Sequence, residues 1–135
     1  MSDLEKLRML VASAPKPPCA ALTPFSIVAA DSERWLVKVE FEPQPAFGNV
    51  FGHIQGGFAV AMIDLPISLA GLLKVQQWLP TVEIKTSFLA PAKLGTCIGE
   101  GQVIRAARSI VFAEGRLWGS DGKLAVHATA TLLVR

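Results

Sequence analysis

The stretch FGHIQGGFAVAMIDLP, residues 51–66, decides how this sequence of 135 residues folds. After Gly56 and Gly57 nearly every side chain is apolar, which is typical of a helix that is buried on all sides. Asp64 is the exception, and a lone carboxylate in such a run costs free energy unless it is paired, hydrogen-bonded or used. The stretch therefore predicts a buried helix over residues 55–73 that carries one acid with a special purpose.

Patterns on either side of this helix predict one more helix and five strands. Leucines at turn spacing indicate a helix over residues 2–14, which a proline-rich connection follows up to residue 20. Alternating apolar and polar residues indicate a strand over residues 35–41. Four further strand-like runs follow the central helix, with a hairpin turn SDGK between the last two: residues 81–90, 96–107, 109–118 and 123–134. We expect a single α+β domain over residues 1–135, in which an antiparallel sheet wraps around one long central helix.

Composition and charge exclude several classes of protein. Hydrophobic residues make up 51% of the chain and charged residues 18%, which excludes a disordered chain and leaves apolar surface for a subunit interface. A net charge of +2 is too small to indicate a nucleic-acid partner. Cys19 and Cys97 lack disulfide or metal-binding spacing, so we expect no metal and a reducing cytoplasm. The apolar run over residues 58–73 is interrupted by polar residues and is predicted to be too short to span a membrane.

The glycines and the acid of the central helix are the candidates for chemistry. The first amides of a helix have no internal partners, so Gly56 and Gly57 suit a carbonyl oxygen that becomes an oxyanion, or they serve only a tight turn. No nucleophilic serine motif is present, which favours a carboxylate that acts on water. Alternatively, Pro66 breaks the helix and Asp64 caps a second helix that begins LPIS.

Several motifs in the right order resemble the hotdog-fold acyl-CoA thioesterases of the phenylacetic-acid-degradation (PaaI-type) group. That group carries Asn, Gly, His-Gly-Gly and then Asp nine positions after the His; Asn49, Gly52, residues 55–57 and Asp64 fall at those spacings. The segments TVEIKTSFLAPAKLGT and GRLWGSDGKLAVHATATLLV resemble the group's Phe-x-x-Pro-Ala strand and its closing hairpin. The resemblance covers residues 35–134, and it departs from the group's pattern at Gln55, which replaces the usual His, and at the proline inside the helix.

The resemblance implies a hotdog fold and the hydrolysis of an acyl-CoA to a carboxylic acid and free CoA, without a cofactor. It implies that the Gly56 amide polarises the thioester carbonyl, with Asn49 and Gln55 as helpers. Asp64 would act as a general base on water or as a nucleophile, and Thr81 would hold the water. Further residues are expected to bind the substrate or to build its acyl pocket: Gly57, Phe88 and Arg108 for binding, and Phe51, Phe58, Met62, Trp78 and Phe88 for the pocket.

The spacing of the implied groups predicts a site that two chains share. Gly56 and Asp64 are eight residues apart, which is roughly 12 Å along a helix. Reacting atoms must come within about 3–3.5 Å of one another, so one chain cannot supply both groups. We therefore expect a homodimer with shared active sites, and the resemblance further implies a dimer of dimers. The alternative is a non-catalytic acyl-CoA-binding module, which would keep the glycines and have no need of Asp64.

Overall fold

The computed structural model describes residues 1–135 and contains two α-helices and one six-stranded antiparallel sheet. The helices are α1 (Asp3–Ser13) and α2 (Gly56–Val75). The strands are β1 (Phe25–Asp31), β2 (Leu36–Phe41), β3 (Thr81–Phe88), β4 (Cys97–Ala106), β5 (Ile110–Trp118) and β6 (Leu124–Leu133). They lie in the order β1-β2-β4-β5-β6-β3, so that β1 and β3 form the two edges. The expected antiparallel sheet around a long central helix is confirmed.

The strand β1 was not predicted from the sequence. The predicted strands correspond to β2 to β6 within one or two residues at most ends, whereas nothing predicted β1. The pairing of β1 with β2 shifts register between Ile27 and Ala29, so a bulge interrupts the alternation by which a strand is recognised. The turn SDGK is confirmed, since Gly122 takes a φ of 79° and its amide donates to the carbonyl of Gly119.

The helix α2 runs unbroken for 20 residues and passes through Pro66. The alternative in which Asp64 caps a second helix is therefore wrong, because Asp64 lies inside α2. The expectation that the apolar run is too short for a membrane was also wrong, since α2 is long and apolar enough to span one. Ten of its residues are buried inside the fold, which identifies α2 as the core helix of the domain.

Glycines in β4 and β5 allow α2 to lie almost directly on the sheet. A Cβ atom on Gly101 would come within 2.1 Å of the Pro66 carbonyl oxygen, and one on Gly115 would lie 2.9 Å from the Ile67 side chain. Gly101 and Gly115 are directly paired across the two strands. Any side chain here would push the helix outward, so these glycines set the distance between helix and sheet.

The predicted N-terminal helix is present as α1 and packs against β1. Ser2 and Glu5 form a capping box at its start, which explains why the helix begins at Asp3. Leu7 is fully buried in the core, and Arg8 donates a hydrogen bond of 2.7 Å to the Ile27 carbonyl. This helix therefore closes the β1 edge of the sheet and leaves the β3 edge open.

Candidate active site

The first turn of α2 presents two free backbone amides. The N–H groups of Gly56 and Gly57 make no hydrogen bond within the chain, whereas those of Phe58 and Ala59 donate to the Gln55 carbonyl. The Gln55 side chain is the N-cap, since its Oε1 accepts from the Phe58 amide at 3.2 Å. Free amides at the positive end of a helix dipole favour a ligand oxygen that carries negative charge.

A tight loop holds Asn49 beside these amides. The Asn49 Oδ1 accepts hydrogen bonds from the backbone amides of Phe51 at 2.9 Å and His53 at 3.1 Å. The backbone amide of Asn49 donates to the His53 carbonyl. Both lone pairs of Oδ1 are thus engaged within the loop. Only the Nδ2 group of Asn49 remains to donate a hydrogen bond to a ligand.

Asn49 and Gly56 line the same cleft, which we call the amide cleft. Its volume is about 460 Å³, and its remaining walls come mainly from Phe51, Phe88 and the segment 89–92. Phe88 lies directly over the helix start, because its Cζ atom would be 3.2 Å from a Cβ on Gly56. A larger residue at position 56 would therefore displace the ring of Phe88.

Asp64 lines a second cleft of about 430 Å³, which we call the acid cleft. The Thr81 hydroxyl donates a hydrogen bond of 2.9 Å to the Asp64 Oδ1, and both side chains are half-buried. The remaining walls are apolar or small, apart from Glu83. Asp64 is thus hydrogen-bonded, which accounts for a carboxylate in such an apolar helix.

A bulge in β3 explains how Thr81 reaches Asp64. Thr81 pairs with the buried Leu132, but the register shifts before Glu83, which pairs with Thr131. In a regular strand Thr81 would face the same way as Glu83, on the side away from α2. The extra residue, Val82, turns Thr81 toward the helix.

The amide cleft and the acid cleft remain separate within one chain. They share no lining residue, and the adjacent residues Gly56 and Gly57 belong to one cleft each. The structure therefore brings together Asp64 with Thr81, and Gly56 with Asn49 and Phe88. It does not bring these two groups into one cleft.

Other predicted residues lie outside the two clefts. Gln55 lines neither cleft, and Arg108 is exposed in the turn between β4 and β5. Of the expected pocket residues, Met62 is fully buried in the core, Phe58 stacks on Phe47 with ring centroids 4.2 Å apart, and Trp78 lies beyond the end of α2. These three side chains line neither of the two clefts, and their part in an acyl pocket stays a prediction.

Some lining residues were missed. Val60 and Ala61 line the acid cleft, and helical spacing would have found them, because they precede Asp64 by four and three residues. His53, whose sequence context gave it no role, lines the amide cleft. Residues 89 and 90 were predicted to belong to the strand that ends at Phe88, and residues 91 and 92 lie beyond it, where no periodic signal marks them.

The family model of the thioesterase superfamily matches residues 51–126, a range that contains Asp64, Thr81 and Gly56. A phenylacetic acid degradation-related protein from Ralstonia eutropha JMP134 is 33% identical, with a TM-score of 0.82 over 94% of this chain and 97% of that one. None of the curated proteins matches significantly.

Two more distant structures share the fold. Mouse thioesterase superfamily member 2 is 17% identical, with a TM-score of 0.80 over 100% of this chain and 99% of that one. A Streptococcus mutans UA159 protein bound to acetyl-CoA is 20% identical, with a TM-score of 0.73 over 82% of this chain and 88% of that one. The family match and the Ralstonia relative together show that this chain belongs to the thioesterase superfamily and is a thioester hydrolase.

Proposed function

We propose that the protein hydrolyses acyl-CoA thioesters at sites that are each built from two chains. The observation that carries this proposal is the separation of two complementary clefts, one with free amides and one with a hydrogen-bonded acid. The Streptococcus relative with bound acetyl-CoA supports the choice of CoA as the thiol part of the substrate.

The amide cleft would bind the thioester carbonyl. As water attacks, the carbonyl oxygen becomes negative, and the N–H of Gly56, which has no partner within the chain, would donate to it. The Asn49 Nδ2 is a second donor in the same cleft, held in place because its Oδ1 is bonded within the loop. Preorganised donors of this kind stabilise the transition state because they need not rearrange.

The acid cleft would supply the base. Asp64 takes a proton from the attacking water through the Oδ2 that Thr81 leaves free, while the Thr81 hydroxyl fixes the carboxylate through Oδ1. The tetrahedral intermediate then expels the thiolate, so that the C–S bond breaks and its electron pair stays on sulfur. Asp64 returns the proton it took from water to this sulfur, so the products are a carboxylic acid and a thiol, and the carboxylate is regenerated. A direct attack by Asp64 would pass through an anhydride instead and give the same products.

A second chain is needed to unite the two clefts. The roughly 12 Å between Gly56 and Asp64 along α2 exceeds the reach of one reacting centre. The strand β3 borders both clefts and forms a free edge of the sheet, with Val82 61% and Phe88 57% exposed. An unpaired edge with exposed apolar side chains favours pairing with another strand. We infer that β3 meets β3 of a second copy, so that the acid cleft of one chain faces the amide cleft of the other.

The test combines two inactive variants. Asp64→Asn removes the base, and Asn49→Asp removes the Nδ2 donor while keeping the Oδ1 that holds the loop. After random re-association half of the dimers are mixed, and each mixed dimer has one intact site. Thiol release from a panel of acyl-CoA substrates should therefore recover to about a quarter of wild type. No recovery in verified mixed dimers would show that both residues act within one chain.

A matched control uses the double variant Asp64→Asn/Asn49→Asp mixed with an equal amount of wild type. If each site draws on both chains, the mixed dimers have no intact site, and about a quarter of the wild-type activity remains. Independent sites within single chains would leave about half. In a dimer with shared sites, mixing therefore raises the activity of the two inactive variants and lowers the activity of the wild-type mixture below the half expected for independent sites.

A further inference from the structure

Four of the six arginines of this protein lie at one end of the sheet, next to the C-terminal end of α2. All four are exposed and form no ion pair: Arg34, Arg105, Arg108 and Arg135. The other two are engaged within the fold, where one donates to a backbone carbonyl and one pairs with two glutamates. We call the surface that carries the four exposed arginines the basic end.

Hydrogen bonds bring these arginines together. The residue before Arg135 donates its backbone amide to the carbonyl of the residue after Arg108. The Arg34 carbonyl accepts a hydrogen bond of 3.0 Å from the side chain of Gln102 on β4, the strand that also carries Arg105. The four guanidinium groups therefore belong to one continuous surface, although they come from three separate parts of the chain.

Two large apolar side chains are exposed at the same end. Trp78 is 48% exposed in the connection between α2 and β3, and two residues later the Pro80 carbonyl accepts from the amide of Leu133, close to Arg135. Ile104, the extra residue of a bulge in β4, is 59% exposed. An indole ring and an aliphatic side chain thus reach solvent among the arginines.

The acidic residues nearby do not neutralise the basic end. Asp31 and Glu33 share the turn with Arg34, and the Asp31 carboxylate accepts two backbone amides within that turn. Glu83 lies on β3, which β5 and β6 separate from the arginines of β4. Lys74 in the last turn of α2 adds a further cation. Cations therefore outnumber carboxylates at this end.

We propose that the basic end docks the protein on an anionic lipid bilayer. Arginines are attracted to the negative surface of such a bilayer, and tryptophan rings favour the headgroup region, where the apolar part is buried and the N–H stays wet. A nucleic acid fits this surface less well, because the whole chain carries a net charge of only +2 and Ile104 has no partner on a phosphate backbone. The inference concerns binding and does not rest on the proposed function.

The binding test is co-sedimentation of the full chain with lipid vesicles. The protein should bind vesicles of equimolar phosphatidylcholine and phosphatidylglycerol, bind vesicles of pure phosphatidylcholine much more weakly, and dissociate as ionic strength rises. Equal binding to both vesicles would mean that the arginines play no part. Either that result or a failure to bind the anionic vesicles at low ionic strength would overturn the inference.

Variants then locate the contact. Arg108→Gln/Arg135→Gln should weaken binding to the anionic vesicles about 10- to 30-fold, because two attractions to the surface are lost. Arg108→Lys/Arg135→Lys should bind as wild type does, since the charge remains. The matched control Lys93→Gln/Lys123→Gln removes two exposed cations beside the β5–β6 turn, at the opposite end of the sheet, and should also bind normally. Equal losses in the two glutamine variants would show that only net charge matters, which contradicts docking through one end.

Trp78 provides a reading of depth as well as of binding. It is exposed, whereas Trp35 and Trp118 are half-buried, so anionic vesicles should shift the tryptophan fluorescence to shorter wavelength through Trp78. Trp78→Phe should lose the shift and keep binding, because an apolar ring remains, and Trp78→Ala should lose the shift and bind more weakly. A shift that persists in both variants would place another part of the protein in the bilayer.

Two further outcomes separate this inference from its rivals. A DNA duplex that binds wild type more tightly than the anionic vesicles do, and that Arg108→Gln/Arg135→Gln no longer binds, would identify a nucleic-acid surface and refute docking on lipid. A protein that binds the vesicles and hydrolyses no thioester would contradict the proposed function alone. The converse result, hydrolysis without vesicle binding, would refute this inference and leave the proposed function intact.

Discussion

The two sides of α2 differ sharply in how they meet the sheet. Toward β4 the helix is so close that a Cβ on Gly101 would lie 2.1 Å from the Pro66 carbonyl oxygen. Toward β3 it leaves a cleft of about 430 Å³, lined by Asp64 and Thr81. The packed side fixes the helix, because a close-packed interface permits few alternative positions. The open side can then hold functional groups in place without burying them.

Breaking the packed side should have the largest effect. In Gly101→Ala the new Cβ meets backbone atoms of Pro66 and Ile67, which cannot move without the helix, so the free energy of unfolding should fall by at least ~3 kcal/mol. Gly99→Ala is the matched variant, since its nearest neighbour is a ring atom of Phe41 at 2.9 Å, and it should cost less. Urea unfolding measures both, and equal losses would contradict the role of the helix backbone.

On the open side, Asp64→Asn should lower kcat by at least ~100-fold, as expected for loss of a base or nucleophile. Asparagine keeps an oxygen for the Thr81 hydroxyl, so thermal stability and substrate binding should persist. Asp121→Asn is the control, because Asp121 is exposed and its Oδ1 likewise accepts one hydrogen bond, from the Lys123 backbone amide. Near-normal turnover in Asp64→Asn would exclude Asp64 from the reaction.

Thr81→Val tests whether turnover depends on the orientation of the Asp64 carboxylate. Valine keeps the shape but removes the hydroxyl that holds the Asp64 Oδ1, so kcat should fall by about 10-fold, the value of one hydrogen bond to a charged group. Thr129→Val, an exposed position on the uncovered face of β6, should have no effect on turnover. If both variants match wild type in steady-state assays, the hydrogen bond has no part in catalysis.

Gln55→Ala should be milder than Asp64→Asn. It removes the cap of α2 and should cost about 1 kcal/mol of stability, while the Gly56 amide remains to bind the carbonyl oxygen. Thermal unfolding and kcat should be measured on the same sample. A loss of turnover as large as that of Asp64→Asn would mean that Gln55 has a direct chemical role.

The reactivities of the two cysteines probe the packed side without any substitution. Burial, together with the charge of Asp121, raises the pKa of the Cys97 thiol on the packed strand β4 to about 11, whereas Cys19 is exposed. A thiol reagent at pH 8 should therefore label one cysteine per native chain rapidly, because the reactive thiolate of Cys97 is scarce well below its pKa. Both should react in urea; two rapid reactions in the native protein would show that the packed side opens readily.

The sequence predicted the elements whose patterns are regular. The apolar run after Gly57 identified α2, because burial on all sides leaves a continuous apolar segment. Alternation identified five strands, because burial on one face leaves a period of two. The strand β1 was missed because of its bulge near Val28. Pro66 suggested a broken helix, yet α2 runs through it and packs closely on Gly101, and such tertiary packing leaves no local signal in the sequence.

The candidate site was predictable as residues but not as an arrangement. Spacing and resemblance selected Asn49, Gly56, Asp64 and Thr81, and the structure places them in two clefts. Strand alternation alone would have turned Thr81 toward the same face as Glu83, because the alternation rule contains no bulge. The capping role of Gln55 was also missed, since glutamine is not among the preferred N-cap residues.

The separation of the two clefts has a consequence for every assay of this protein. If each site needs two chains, dilution below the dissociation constant of the dimer removes activity without unfolding anything. Specific activity would then fall as enzyme concentration falls, and recover on concentration. A substrate that bridges both chains would oppose this dissociation by mass action. The concentration of protein is thereby as much a determinant of turnover as the concentration of thioester.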